Sequence, residues 1–145
     1  MSTEGLTYPA QASSLRKGGY IVINDHPCRV VGMTISKTGK HGHGKVHFTA
    51  LDIFTSKKIE MLESSTHNVS VPHVSKTEFT LVDIEENRLS LMNESGELKE
   101  DLNLPSGELG EQIQAGFDDG KELIIIVQAS MNIEAVISFK LSVNN

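Results

Sequence analysis

The run Ser36-Lys37-Thr38-Gly39-Lys40-His41-Gly42-His43-Gly44-Lys45 places three lysines, two histidines and three glycines in ten positions without a carboxylate. Lys40, between Gly39 and the His41-Gly42 pair, meets no backbone bulk that would block entry, so a modifying enzyme can thread it into a narrow pocket. The cations beside it attract phosphate. Lys40 is therefore the candidate acceptor. Lys37, Thr38, Gly39, His41, Gly42, His43, Gly44 and Lys45 are candidates for shaping the loop or contacting RNA.

Other chemistries that these residue types permit fail on spacing. Lys37-Thr38-Gly39 and Ser14-Leu15-Arg16-Lys17 copy two elements of serine β-lactamases, but the Ser-Asp-Asn element is missing and 145 residues are too few for that fold. A phosphate-binding loop needs glycine where Thr34 stands and a hydroxyl where His41 stands. His41, His43 and His47 form His-x-His-x3-His, which could collect a divalent ion only if the hairpin brought them to one point. His26, His67 and His73 have no serine, cysteine or carboxylate at a telling spacing. Paired acids such as Glu85-Glu86, Glu100-Asp101 and Asp118-Asp119 fall in turns or on solvated faces. No catalytic residue, metal ligand or cofactor site is assigned.

Charge divides the chain. Residues 1–72 carry eight Lys and Arg against five Asp and Glu, and residues 73–145 carry five against fourteen; the two nets, +3 and -9, give the overall -6. No acid lies between Asp25 and Asp52, a window that contains Arg29, Lys37, Lys40 and Lys45, so a positive field is expected on the first half. The one cysteine, Cys28, excludes an internal disulfide and a four-thiolate zinc site. No basic leader precedes an apolar run, and no run approaches the roughly 20 apolar residues of a membrane span. The expectation is a soluble, cytoplasmic chain with no membrane partner.

Several elements must position the loop. Residues 19–23 and 28–31 are β-branched runs around the turn composition Asn24-Asp25-His26-Pro27, and 46–54 and 59–62 form further strands around a turn at 55–58. The lysine run thus connects a strand over 30–35 to one over 45–54 and projects into solvent. After 68–73, which leads from one half to the other, strands are expected over 79–84, 88–92 and 97–102. Leu109, Ile113 and Phe117 then recur at helical spacing, with Glu108 near the start and Gly120 beyond the end. Strands over 122–127 and 135–143 close the chain. Three strands, a helix and two strands fit a five-stranded OB-type barrel, and the all-β first half fits a small SH3-like barrel. The expected fold is all-β: a flexible N-terminal segment over 1–15, an SH3-like domain over 16–72 carrying the lysine loop, and an OB-fold domain with one short helix over 73–145.

The lysine run, with His26-Pro27-Cys28-Arg29 before it and Val46-His47-Phe48, Asp52-Ile53-Phe54-Thr55 and Ser65-Thr66-His67-Asn68-Val69 after it, resembles the eukaryotic translation initiation factor 5A family. The resemblance continues through Leu89-Ser90-Leu91, Glu100-Asp101-Leu102 and Leu104-Pro105, and covers the chain from about Tyr8 to its end. It implies the same pair of barrels and a non-enzymatic translation factor that needs no cofactor. It also implies that Lys40 becomes hypusine: deoxyhypusine synthase moves an aminobutyl group from spermidine to the lysine amine, and deoxyhypusine hydroxylase adds a hydroxyl.

The resemblance further implies that this arm enters the large ribosomal subunit from the exit-site side and touches the acceptor end of peptidyl-tRNA. There it would relieve stalling, notably at proline runs, and assist termination; a homodimer stays open. Position 44 is glycine where alanine is frequent in the family. Two other readings stay open from the residues: an RNA-binding double barrel without modification, and an enzyme built on a histidine-metal loop.

Overall fold

The structure, a computed structural model, describes residues 5–37 and 44–143. Two compact units divide the chain, Met1–His73 and Val74–Asn145, and both are β-rich.

The first unit contains β1 (Thr7–Gln11), a single 3-10 turn (Ala12–Ser14), β2 (Tyr20–Ile23), β3 (His26–Ser36), β4 (Lys45–Asp52), β5 (Lys58–Ser64) and β6 (Asn68–Pro72). Strands β2-β3-β4-β5 form an antiparallel sheet in that order, and β1 pairs with β6. The strict alternation of β4 explains its setting: Val46, Phe48, Ala50 and Asp52 are buried while Lys45, His47, Thr49 and Leu51 face outward. The inward residues join Ala12, Ile21, Ile23, Cys28, Val30 and Val69 in the core of a small SH3-like barrel.

Asp52, at the inner end of that row, is buried without being orphaned. Its Oδ1 accepts the amides of Phe54 (2.8 Å) and Thr55 (3.1 Å), and Oδ2 lies 3.0 Å from His26 Nδ1. Saturation of the carboxylate offsets its desolvation and fixes the β4–β5 turn.

In the second unit β7 (Val74–Glu85), β8 (Arg88–Met92), β9 (Leu98–Asn103), α1 (Gly107–Asp118), β10 (Leu123–Ser130) and β11 (Ile133–Leu141) follow one another. The sheet order is β11-β10-β7-β8-β9. Lys99 Nζ on one edge reaches Glu134 Oε1 on the other at 2.9 Å, so the edges meet and the sheet curls into the OB barrel. The helix buries Ile113 and packs Leu109 and Phe117 against Leu81, Leu89, Leu91, Leu123 and Ile125, which are the three positions that its period singles out. No helix among the described residues is long and apolar enough to cross a membrane.

Several boundaries differ from the sequence expectation. Residues 7–11, expected to be flexible, form β1, with Thr7 opposite Pro72 and Gln11 opposite Asn68. Residues 68–72, read as part of a connection, are its partner strand. The pairing is invisible locally because it joins segments about 60 residues apart and Pro9 interrupts the β pattern. The β2–β3 turn is only Asn24-Asp25, both with positive φ (50° and 65°), so His26 and Pro27 belong to β3. Glu86-Asn87 and Met131-Asn132 repeat this conformation, the two-residue turn whose twist suits antiparallel hairpins.

Two predictions follow from the packing. Any side chain at Gly110 would drive its Cβ into the Pro105 carbonyl oxygen. Gly110→Ala, although favourable for an isolated helix, should therefore destabilise the second unit by about 1–3 kcal/mol, measured by urea unfolding. An unchanged midpoint would refute the close approach. Cys28 is fully buried, and burial, aided by the charge of Asp52, pushes its thiol up to about 11. The unfolded chain thus releases this proton before the native one does, so stability should fall as pH rises between the ordinary thiol value and about 11, and be flat below. Iodoacetamide at pH 8 should label Cys28 only after denaturation.

Candidate modification hairpin

The candidate loop is carried by the longest hairpin of the first unit. Strand β3 pairs with β4 from Cys28 opposite Asp52 to Ser36 opposite Lys45, with a bulge between Val30 and Gly32. The ladder therefore stops at Ser36 and Lys45, and residues 37–44 make the connection. Thr38, Gly39, Lys40, His41, Gly42 and His43 lie outside the described residues. Lys37 and Lys45 are exposed at the two legs, whereas Gly44 is buried.

Gly44 is buried because the incoming leg and the turn at Ser65 both converge on it. A Cβ there would stand 2.8 Å from the Ser36 carbonyl oxygen, 3.4 Å from Ser65 Oγ and 3.6 Å from Lys37 Cγ. Only glycine lets the outgoing leg approach the incoming one this closely without a backbone shift.

The outgoing leg is also held from the side. Ser65 N donates to Gly44 O at 2.9 Å, one step beyond the last β4–β5 pair, Lys45 with Ser64. Ser65 belongs to a tight turn in which His67 N donates to Ser64 O at 3.1 Å. That turn is anchored to the 3-10 segment by Ser13 N to Ser65 O (3.1 Å) and Ala12 N to His67 O (2.8 Å). Arg16 Nη1 in turn donates to the carbonyls of Ser13, Ser14 and Leu15 at 2.9–3.2 Å, closing the end of that segment.

The surrounding charge is more mixed than the acid-free window of the sequence implies. Antiparallel pairing with β5 puts Glu60 opposite Thr49 and Glu63 opposite Val46. Each acid meets a histidine: Glu60 Oε1 lies 3.6 Å from His47 Nε2, and Glu63 Oε1 lies 3.0 Å from His67 Nδ1. The His67 hydrogen bond, then the Ser64 amide, hold the Glu63 carboxyl below the ordinary carboxylate range; the charges of His67 and Lys45 add to this and burial opposes it. Arg29, Lys37, Lys45, Lys57 and Lys58 are all exposed and make no ion pair with a described carboxylate. The first unit thus keeps its free cations while its two sheet acids near the hairpin are engaged.

Of the three histidines at metal-like spacing only His47 is described, and its ring faces Glu60. Among the described residues no group of three His, Cys, Asp or Glu side chains converges as a metal site. Sequence reasoning missed the turn of residues 64–67 as a support. Its signals were the Ser-Ser-Thr composition of a turn and the four-residue spacing of Glu63 and His67.

Known proteins share both units. Residues 5–67 match the family described as translation initiation factor 5A-like, N-terminal. Residues 73–140 match the family described as eukaryotic elongation factor 5A hypusine, DNA-binding OB fold. The chain is 54% identical over 134 residues to eukaryotic translation initiation factor 5A-2 of Saccharomyces cerevisiae, with 92% of this chain and 85% of that protein covered. Identity to the Dictyostelium discoideum factor 5A is 48% over 143 residues, covering 99% and 90%. The solved structure of a translation initiation factor eif-5a family protein from Naegleria fowleri superposes with a TM-score of 0.90 at 44% identity, over 94% of this chain and all of that one. The factor 5A structure from Methanococcus jannaschii shares the fold at a TM-score of 0.72 and 24% identity, over 97% and 99%. With both barrels, the hairpin between β3 and β4, and these similarities along nearly its whole length, the chain belongs to the eukaryotic translation initiation factor 5A family.

Proposed function

We propose that this translation factor works through Lys40, after conversion of its side chain to hypusine. The observation that carries the reading is the lysine between Gly39 and His41-Gly42, midway along the sequence between two fixed hairpin legs, Ser36 and Lys45, in a chain matched by a family whose description names hypusine.

The chemistry asks little of the chain itself. In the net transfer the ε-nitrogen of Lys40 bonds to the four-carbon unit of spermidine, the bond from that unit to the aminopropyl nitrogen breaks, and 1,3-diaminopropane leaves. The product keeps the original nitrogen as a secondary amine and gains a second, terminal one; hydroxylation adds a further hydrogen-bonding group. Deoxyhypusine synthase and deoxyhypusine hydroxylase supply the catalysis. The chain is their substrate and not an enzyme, and needs no cofactor or metal of its own.

The lengthened cation is suited to reach into the peptidyl-transferase region from the exit-site side of the large ribosomal subunit and hold the acceptor end of peptidyl-tRNA. Restricting that end to reactive geometries would speed peptide transfer where a proline run disfavours them, and would assist termination. Lys37 and Lys45, free at the two legs, are placed to meet backbone phosphates, with Thr38, Gly39, His41, Gly42, His43 and Gly44 shaping the loop. The work is cytoplasmic, where these partners are.

Two measurements test this. Protein from its native source should carry one hydroxylated aminobutyl group, located by peptide mass spectrometry on Lys40; unmodified protein with full ribosomal activity would favour a plain RNA-binding module instead. Lys40→Arg keeps the charge but offers no acceptor amine. It should fold normally and lose at least about 100-fold in peptide-bond formation on a proline-run template, while Lys57→Ala stays within about twofold of wild type. Normal activity of the Lys40 variant would overturn the assignment.

A further inference from the structure

The turn of residues 64–67 has no evident task in the barrel core, since its side chains are exposed or half-buried. Its bonds all point toward the lysine hairpin or anchor the turn itself. Ser65 N binds the Gly44 carbonyl at 2.9 Å, and the 3-10 segment holds the turn through Ser13 and Ala12. Glu63 clasps it from within: Oε1 accepts the Ser64 amide at 3.0 Å and lies 3.0 Å from His67 Nδ1. A single carboxylate oxygen thus ties both ends of the turn. Gly44 is caught between this turn and the Ser36 carbonyl, because a methyl group would meet both.

We propose that Glu63, acting through His67 and the Ser65 amide, is a positioning residue for the base of the lysine hairpin at Gly44. It fixes the direction in which the outgoing leg leaves the barrel, so that the aminobutyl transferase meets a hairpin base already in its bound geometry. This rests on the reading of Lys40 as the modified residue and adds the device that presents it. Preorganisation of a substrate segment lowers the ordering cost of binding and leaves the chemical step untouched once bound. The signature is therefore a change in KM without a matching change in kcat. Glu60 provides an internal control: it lies on the same strand and pairs with a histidine, but that partner, His47, sits within the β3–β4 ladder opposite Thr34 and not in the turn that holds Gly44.

The test uses the full-length protein, spermidine and deoxyhypusine synthase. Glu63→Ala should raise KM for the protein substrate about threefold or more with kcat unchanged. Glu63→Gln should restore most of the loss, because an amide oxygen can still accept from His67 Nδ1. Glu60→Ala should match wild type. In parallel, amide exchange at Ser65 should speed up about tenfold in Glu63→Ala and not in Glu60→Ala. Equal KM values for the two alanine variants, a loss confined to kcat, or unchanged exchange at Ser65 would each overturn the proposal. Wild-type protein that accepts no aminobutyl group would instead sink the functional reading, and the exchange measurement would still decide whether Glu63 fixes the leg.

Discussion

The register between β3 and β4 is the constraint on which the first unit depends. Val46, Phe48, Ala50 and Asp52 enter the core on alternate positions, so a slip of one residue would expose two large apolar side chains and bury Lys45 and His47. At its inner end the register is locked by Asp52, whose carboxylate ties the next turn to His26. At its outer end it terminates at Ser36 and Lys45, which sets where the loop begins and how many residues it contains. A core requirement thus decides where the hairpin ladder ends and its connecting residues begin.

The two units reach barrel form by different means. The first sets a separate two-stranded ladder, its opening strand β1 with its final strand β6, beside the four-stranded sheet β2-β3-β4-β5, a backbone pairing independent of side-chain charge. The second brings its edge strands together through Lys99, which meets Asp101 at 3.0 Å and Glu134 at 2.9 Å. The first unit carries the lysine hairpin, and around its base Lys37 and Lys45 are exposed and make no ion pair with a described carboxylate. The acidic second unit keeps most of its charge on outward strand positions and turns, as a folded domain with a net of -9 must.

Much of this architecture is legible in the chain. The alternation over 46–52 and the Leu109, Ile113, Phe117 period each have a single packed solution, and the core accepts both. The order of strands and helix after residue 73 leads to the OB barrel for the same reason. Local pattern fails where a structure is made by distant partners. Thr7 to Gln11 includes a proline and looks like an unstructured approach until Val69 and Val71 are set beside it. The window around the lysines is acid-free along the chain, yet β5 lays Glu60 and Glu63 alongside it. The support at Ser65 is hidden likewise, because it consists of backbone bonds whose donors and acceptors are the same in every sequence.

The pairing of the first unit's opening strand with its final one also bears on how the protein is made. A chain emerging N-terminus first can assemble β2 to β5 as successive hairpins, each needing only near neighbours. Strand β1 must wait, unpaired, until Pro72 has emerged. By then nearly half the polypeptide has been synthesised, and the 3-10 segment that steadies the turn at Ser65 can lock only once Ser65 and His67 have emerged. The base of the hairpin at Gly44 and Lys45 would consequently gain its lateral support only late in synthesis, when the first unit is all but complete.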